Sequence, residues 1–322
     1  MFFSRARFWC WFLLLGIPVM MYGQNTAELL GYDDQARLLI INADDFGMCH
    51  AENLATMNLL RSGGVTSTTV MTPCPWFPEV ADFYREHPEI DIGAHLTLNA
   101  EWTRYKWGSV APGDRVSSLL NPSGFFYSDV LPVEQNAKPK EVRTEFIAQI
   151  EKAQRAGIQL SHIDNHMGSA YGLLTGRDFL DVVFQLSAQY NLPFRLPRHA
   201  DNRQGLSREQ TEQFQQLTEK LVGQGFVLPD YLITVDHAAT QAGSLDRYKQ
   251  MFRDLKPGVT ELYIHAAIPT DEMKAISGAW EHRAFDYHIF SSPETRAYLD
   301  SLGIKLIGWK ALQTLQKETV NR

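Results

Sequence analysis

The chain has 322 residues, 44 % of them hydrophobic and 21 % charged, with a formal net charge of −7. This much apolar material can bury a large core, and charges scattered at this density exclude long disorder. An acidic balance with no basic stripe excludes the electrostatic footprint of a nucleic-acid binder.

Arg5 and Arg7 precede an apolar run from Phe8 to about Tyr22, which gives way to Gly23-Gln24-Asn25. The run is short for a membrane span and has the layout of a secretory signal, 1–23, cleaved near Gly23. The body of the chain, 24–322, is therefore expected to be secreted or periplasmic, with no stable membrane insertion after cleavage. An uncleaved N-terminal anchor is the competing reading and leaves the body on the same side.

Apolar strand candidates follow over 37–43, 65–71, 90–96, 159–163, 192–196, 231–235, 261–265 and 304–308. Helix candidates include 51–61, 140–155, 177–190, 207–223, 244–255 and 293–302. Strands alternating with helices imply parallel pairing through right-handed crossovers. About eight such units without a linker favour an α/β chain folded as one TIM-like (β/α) barrel over two domains. A doubly wound open sheet is the alternative, weakened because no Gly-rich phosphate loop follows the first strand. Cys49 and Cys74 each follow a predicted strand, which suits either a disulfide or two buried thiols.

The stretch 99–137 breaks the alternation and carries Trp102, Tyr105, Trp107, Phe125, Phe126 and Tyr127 among Pro, Gly and Ser. Such a loop either walls a sugar-binding cleft, since aromatic faces stack on pyranose rings, or packs its aromatics into a small core of its own.

The first strand ends in two adjacent carboxylates, Asp44-Asp45. Like charges raise each other's pKa and burial makes ionisation costlier, so a cation that neutralises one member frees the other for proton transfer. Other polar groups also fall at strand ends: His95 in Gly93-Ala94-His95-Leu96, the run His162-Ile163-Asp164-Asn165-His166, and His265. In a barrel these ends converge on one face. A carboxylate with two imidazoles suits a catalytic divalent ion, although each residue alone also fits a helix cap or a structural histidine. His162 and Asp164 are candidates for orienting neighbouring ligands.

Ile41-Asn42-Ala43-Asp44-Asp45-Phe46-Gly47, Gly64-Val65-Thr66-Ser67-Thr68-Thr69, Ile92-Gly93-Ala94-His95-Leu96 and His162-Ile163-Asp164-Asn165-His166 together resemble the YdjC-like carbohydrate deacetylases, which include the chitooligosaccharide deacetylases. The resemblance spans most of the chain after the signal and is densest between Leu38 and His166. It implies an irregular (β/α) barrel, a metal held by Asp45, His95 and His166, Asp44 as base and His265 as acid. It also implies two arginines near the site, Arg195 and Arg283. Two departures reshape the pocket: the chain reads His166-Met167-Gly168-Ser169 where the familiar relatives carry more histidines, and Ile264-His265-Ala266 where they carry Cys-His-Pro.

The expected activity is hydrolytic removal of acetyl groups from N-acetylated sugars or oligosaccharides, with one divalent ion, magnesium or zinc. Hydrolysis of an O-acyl ester or phosphoester on a sugar is a second reading, and a non-catalytic carbohydrate-binding protein on the same scaffold a third. The expected partner is an N-acetylated carbohydrate and not a nucleic acid; oligomeric state leaves no trace in the sequence.

Overall fold

The computed structural model describes residues 23–200 and 207–320; the expected signal lies outside them as far as Tyr22. Seven strands are found among the described residues: β1 (Arg37–Phe46), β2 (Ser67–Val70), β3 (Ile92–Leu96), β4 (Ile163–Asn165), β5 (Tyr231–Ile233), β6 (Gly258–Ile264) and β7 (Lys305–Leu306). Around them run the helices α1 (Thr26–Leu29), α2 (His50–Ser62), α3 (Phe77–Glu86), α4 (Val130–Asn136), α5 (Pro139–Arg155), α6 (Leu180–Tyr190) and α7 (Arg208–Gly223). They are followed by α8 (Gln241–Arg253), α9 (Asp271–Ile276), α10 (Trp280–Ser291), α11 (Pro293–Ser301) and α12 (Trp309–Val320). All the ladders are parallel, in the order β4-β3-β2-β1-β6-β5. β7 pairs with Leu38 and Leu39 while β2 pairs with Asn42, Ala43 and Phe46, so two short strands divide β1 between them.

The expected strand over 192–196 does not form. Pro193 lies within it and Pro197 follows it, and proline cannot donate to a ladder. The segment still joins the two sides of the sheet. Ile163 N donates to Pro193 O at 3.0 Å, Arg195 N to Ile163 O at 3.1 Å, and Arg198 N to Pro229 O at 2.8 Å. The sheet therefore curls into an irregular barrel whose last gap is bridged by a broken strand. A cavity of about 760 Å³ opens beside this seam, lined by His199, Tyr231, Ile233, Arg247 and Lys256 among others.

Alternation along β1 assigns its side chains. Leu39, Ile41 and Ala43 pack outward against Ala55 and Leu59 of α2 and Ile289 and Phe290 of α10. Leu38 and Ile40 join Trp309, Val259 and Val227 in a separate apolar cluster. Asn42 and Asp44 share that second face but are polar, and both are buried. Along one face of the strand, apolar side chains thus give way to polar ones towards its C-terminal end.

The stretch 99–137 packs its aromatics inward: Trp102, Trp107 and Phe126 are buried in the main core, while Phe125 is exposed. Cys49 and Cys74 are buried free thiols.

Candidate active site

Two consecutive strand residues normally face opposite sides of a sheet. Asp44 and Asp45 escape this because Asp45 adopts a left-handed backbone, φ 66°, where the register of β1 against β2 slips between Ala43 and Phe46. Asp is among the few non-glycine residues that tolerate this region, at a cost of about 1 kcal/mol. Gly47 continues the turn at φ 97°. Both carboxylates thereby reach one site.

Asp45 Oδ1 lies 3.3 Å from His95 Nε2 and 3.3 Å from His166 Nδ1. Those two ring nitrogens are 3.2 Å apart. Each imidazole is held from its other side by a carboxylate: His95 Nδ1 meets Asp164 Oδ1 at 2.6 Å, and His166 Nε2 meets Glu101 Oε2 at 2.9 Å. With the outer nitrogens donating to those carboxylates, the inner ones turn lone pairs towards Asp45. Asp45 Oδ1 itself is buried without a hydrogen-bond partner.

Three acceptors facing one another at such distances need a cation or added protons between them. Burial opposes protonation of both histidines, but Asp164 and Glu101 outweigh it. His95 is raised well above the imidazole range and His166 to about 9. Burial likewise opposes ionisation of Asp45, yet Arg283 and the two histidines hold its carboxyl well below its usual value. Two imidazole nitrogens, one carboxylate oxygen and carboxylates behind the rings form a donor set that fits a divalent ion.

Arg195, on the seam, is the centre of a second group. Its Nη1 and Nη2 donate to the two oxygens of Asp44, each at 2.7 Å, and its Nε donates to Glu261 Oε1 at 3.0 Å. Nη2 also pairs with Asp164 Oδ2 at 2.9 Å. Burial would raise the Asp44 pKa, but the guanidinium overrides it and keeps that carboxyl well below the usual range. For Glu261 burial wins, and its pKa rises to about 7.

Arg283 of α10 donates to Asp45 Oδ2 at 3.0 Å, contacts Glu52 of α2 and lies over the Trp102 ring at 5.4 Å. His265 Nε2 stands 3.9 Å from Asp45 Oδ2, with its side chain 36 % exposed. Burial lowers the His265 pKa against the pull of Asp45. Its backbone N–H donates to Asp286 Oδ2 at 3.0 Å. His162 lies apart from the metal-type cluster, stacked on Trp309 at 4.7 Å with Ser161 Oγ 2.8 Å from its Nδ1. The structure thus draws Asp44, Asp45, His95, Asp164, His166, Arg195, His265 and Arg283 together. It adds Glu52, Glu101 and Glu261, which the strand-end pattern misses because they sit on a helix, in a loop and in mid-strand.

The family model described as YdjC-like protein matches residues 38–301. A carbohydrate deacetylase of Brevibacillus brevis is 27 % identical over 279 residues, covering 85 % of this chain and 99 % of its own. A carbohydrate deacetylase of Enterococcus faecalis is 27 % identical over 281 residues, covering 85 % of this chain and 97 % of its own. A crystal structure from Enterococcus faecalis, described there as a candidate cellobiose-phosphate cleavage protein, is similar at a TM-score of 0.71 and 27 % identity, covering 86 % of this chain and 99 % of that one. The fold, the motifs and the matched span agree: the chain belongs to the YdjC-like protein family.

Proposed function

We propose that the protein is a metal-dependent carbohydrate deacetylase that hydrolyses the N-acetyl group of an amino sugar. One observation carries the reading: the unpartnered Asp45 Oδ1 faces His95 and His166, each backed by a carboxylate. The names of the relatives supply the substrate class. A divalent ion, magnesium or zinc, held by Asp45, His95 and His166 would supply Lewis-acid polarisation of the acetyl carbonyl and a more acidic water.

Asp44, kept ionised by Arg195, accepts a proton from the attacking water. The water oxygen adds to the carbonyl carbon, and the carbon–nitrogen bond then breaks. The proton taken up by Asp44 passes on to His265, half-buried beside Asp45, which gives it to the departing nitrogen. The products are acetic acid and a free amine. Asp164 and Glu101 keep the histidine rings in place throughout, and Arg283 with Trp102 closes one side of the site.

A phosphoester reading draws on the description of the Enterococcus faecalis structure. Both site arginines already face carboxylates, Arg195 three of them and Arg283 two, which leaves neither as a phosphate cradle. The deciding experiment measures acetate and phosphate release across N-acetylated and phosphorylated oligosaccharides with added magnesium or zinc. Acetate release by the wild type, abolished in Asp44→Asn while metal and sugar still bind, is the expected result. Undiminished acetate release by that variant removes Asp44 as the base; phosphate release alone replaces the deacetylase reading. We also propose export through the segment 1–23, which N-terminal sequencing of the mature protein tests.

A further inference from the structure

Trp76 is, among the described residues, the tryptophan most open to solvent, at 36 % exposure. It lies in the connection from β2 to α3, at the end of the barrel where Asp45 sits. One face of its indole is backed by the His50 ring, at 4.8 Å and 28°. Glu79 holds that ring through His50 Nδ1 at 2.8 Å, which leaves Nε2 of a side chain 40 % exposed to meet a ligand. The arrangement is fixed from beneath by Asn53, which is fully buried. Asn53 Nδ2 donates to Trp76 O at 3.2 Å and to Glu79 Oε2 at 2.7 Å, while Asn53 Oδ1 accepts from Gly47 N at 2.6 Å. One side-chain amide therefore ties Trp76 to the turn that carries Asp45, two residues before Gly47.

A rigid, half-open indole has no packing reason to be so exposed, since burying it would return substantial hydrophobic free energy. Its free face suits the C–H face of a pyranose. The half-exposed His50 imidazole behind it, with its Nδ1 already held by Glu79, offers Nε2 to a hydroxyl of the bound chain. We propose that Trp76, with His50 and Glu79, forms a sugar subsite that holds a neighbouring residue of an oligosaccharide whose N-acetyl group lies at the Asp44–Asp45 pair. This inference deepens the deacetylase reading and rests on it for the substrate class. It makes the enzyme one for chains of at least two sugars.

The test compares N-acetylglucosamine with its β-1,4-linked tetramer in the metal-loaded, full-length mature enzyme. The subsite predicts that Trp76→Ala lowers the tetramer-to-monomer ratio of kcat/KM by about tenfold, chiefly through KM of the tetramer, with partial recovery in Trp76→Phe. An unchanged ratio, or an equal drop for both sugars, overturns the subsite. Calorimetric titration of the tetramer into wild type, Trp76→Ala and His50→Ala gives a second reading that needs no turnover. Binding weakened about tenfold in the variants while the wild type releases no acetate keeps the subsite and removes the deacetylase reading. Acetate release with binding indifferent to both substitutions does the reverse.

Discussion

Glu101 shows how a residue outside the strand-end pattern enters the site. Its carboxylate takes the outer nitrogen of His166, and that bond decides which nitrogen faces Asp45. Removing such a partner typically weakens metal affinity by about 10–100-fold. Glu101→Ala should therefore bind zinc about tenfold or more weakly, with Glu101→Gln intermediate, as titration against a competing chelator will register. Identical affinities in all three proteins would reduce Glu101 to a bystander. The sequence made Asp45, His95 and His166 legible because each closes a strand, a position that the alternation of elements locates. It left Glu101 and Glu52 illegible because a loop and the first turn of a helix carry no period that points at a site. Nor could it announce the left-handed turn at Asp45, since Asp is common both in turns and in ordinary caps.

At the level of elements, β3 and β4 depend on the smallness of Gly93. A methyl there would meet the His162 ring at 2.5 to 2.6 Å, and that ring is already stacked on Trp309. Gly93→Ala should destabilise the protein by about 1–3 kcal/mol in urea unfolding, and adding His162→Ala should recover part of the loss. No cost in the single variant would mean that the ring moves freely. His162 thus reads as a packing residue, although it shares a run with Asp164 and His166. Most strands were legible from their apolar runs, but two were displaced: the fourth begins at Ile163, where the expected run ended, and the segment over 192–196 is broken by its prolines. The helix α10 escaped the apolar period because its buried face includes Arg283 and Asp286 beside Ala284, Ile289 and Phe290. A face that serves a site does not look like a face that serves a core.

For the whole molecule, the polar interior couples stability to pH. Glu261 ionises near 4.5 when unconstrained, but burial lifts it to about 7 in the fold, where it faces Arg195, the Trp309 indole and Asp164. Between those values the folded chain keeps a proton that the unfolded chain has lost. Its stabilising contribution is complete below about pH 4.5 and is lost as pH rises through 7, on the order of 3 kcal/mol in all. Glu261→Gln keeps an acceptor for Arg195 and Trp309 without the charge, so the variant should lose less stability than wild type between pH 5 and pH 8 in denaturant titrations. Parallel losses in the two proteins would assign the dependence to other groups. Barrel class and the direction of the strands were readable from the alternation of elements. The way the barrel closes was not, because a few scattered backbone bonds leave no pattern in a sequence.

That closure has a mechanical consequence. The guanidinium of Arg195 grips Asp44, Asp164 and Glu261, which stand on three different strands, while its own backbone belongs to the least regular part of the ring. Pulling the segment away would strand three buried carboxyl groups at once, a penalty of several kcal/mol that arrives in one step. The barrel is therefore shut by a latch and not by a hem: it holds fully or lets go fully, and Asp44, the proposed base, is released with it.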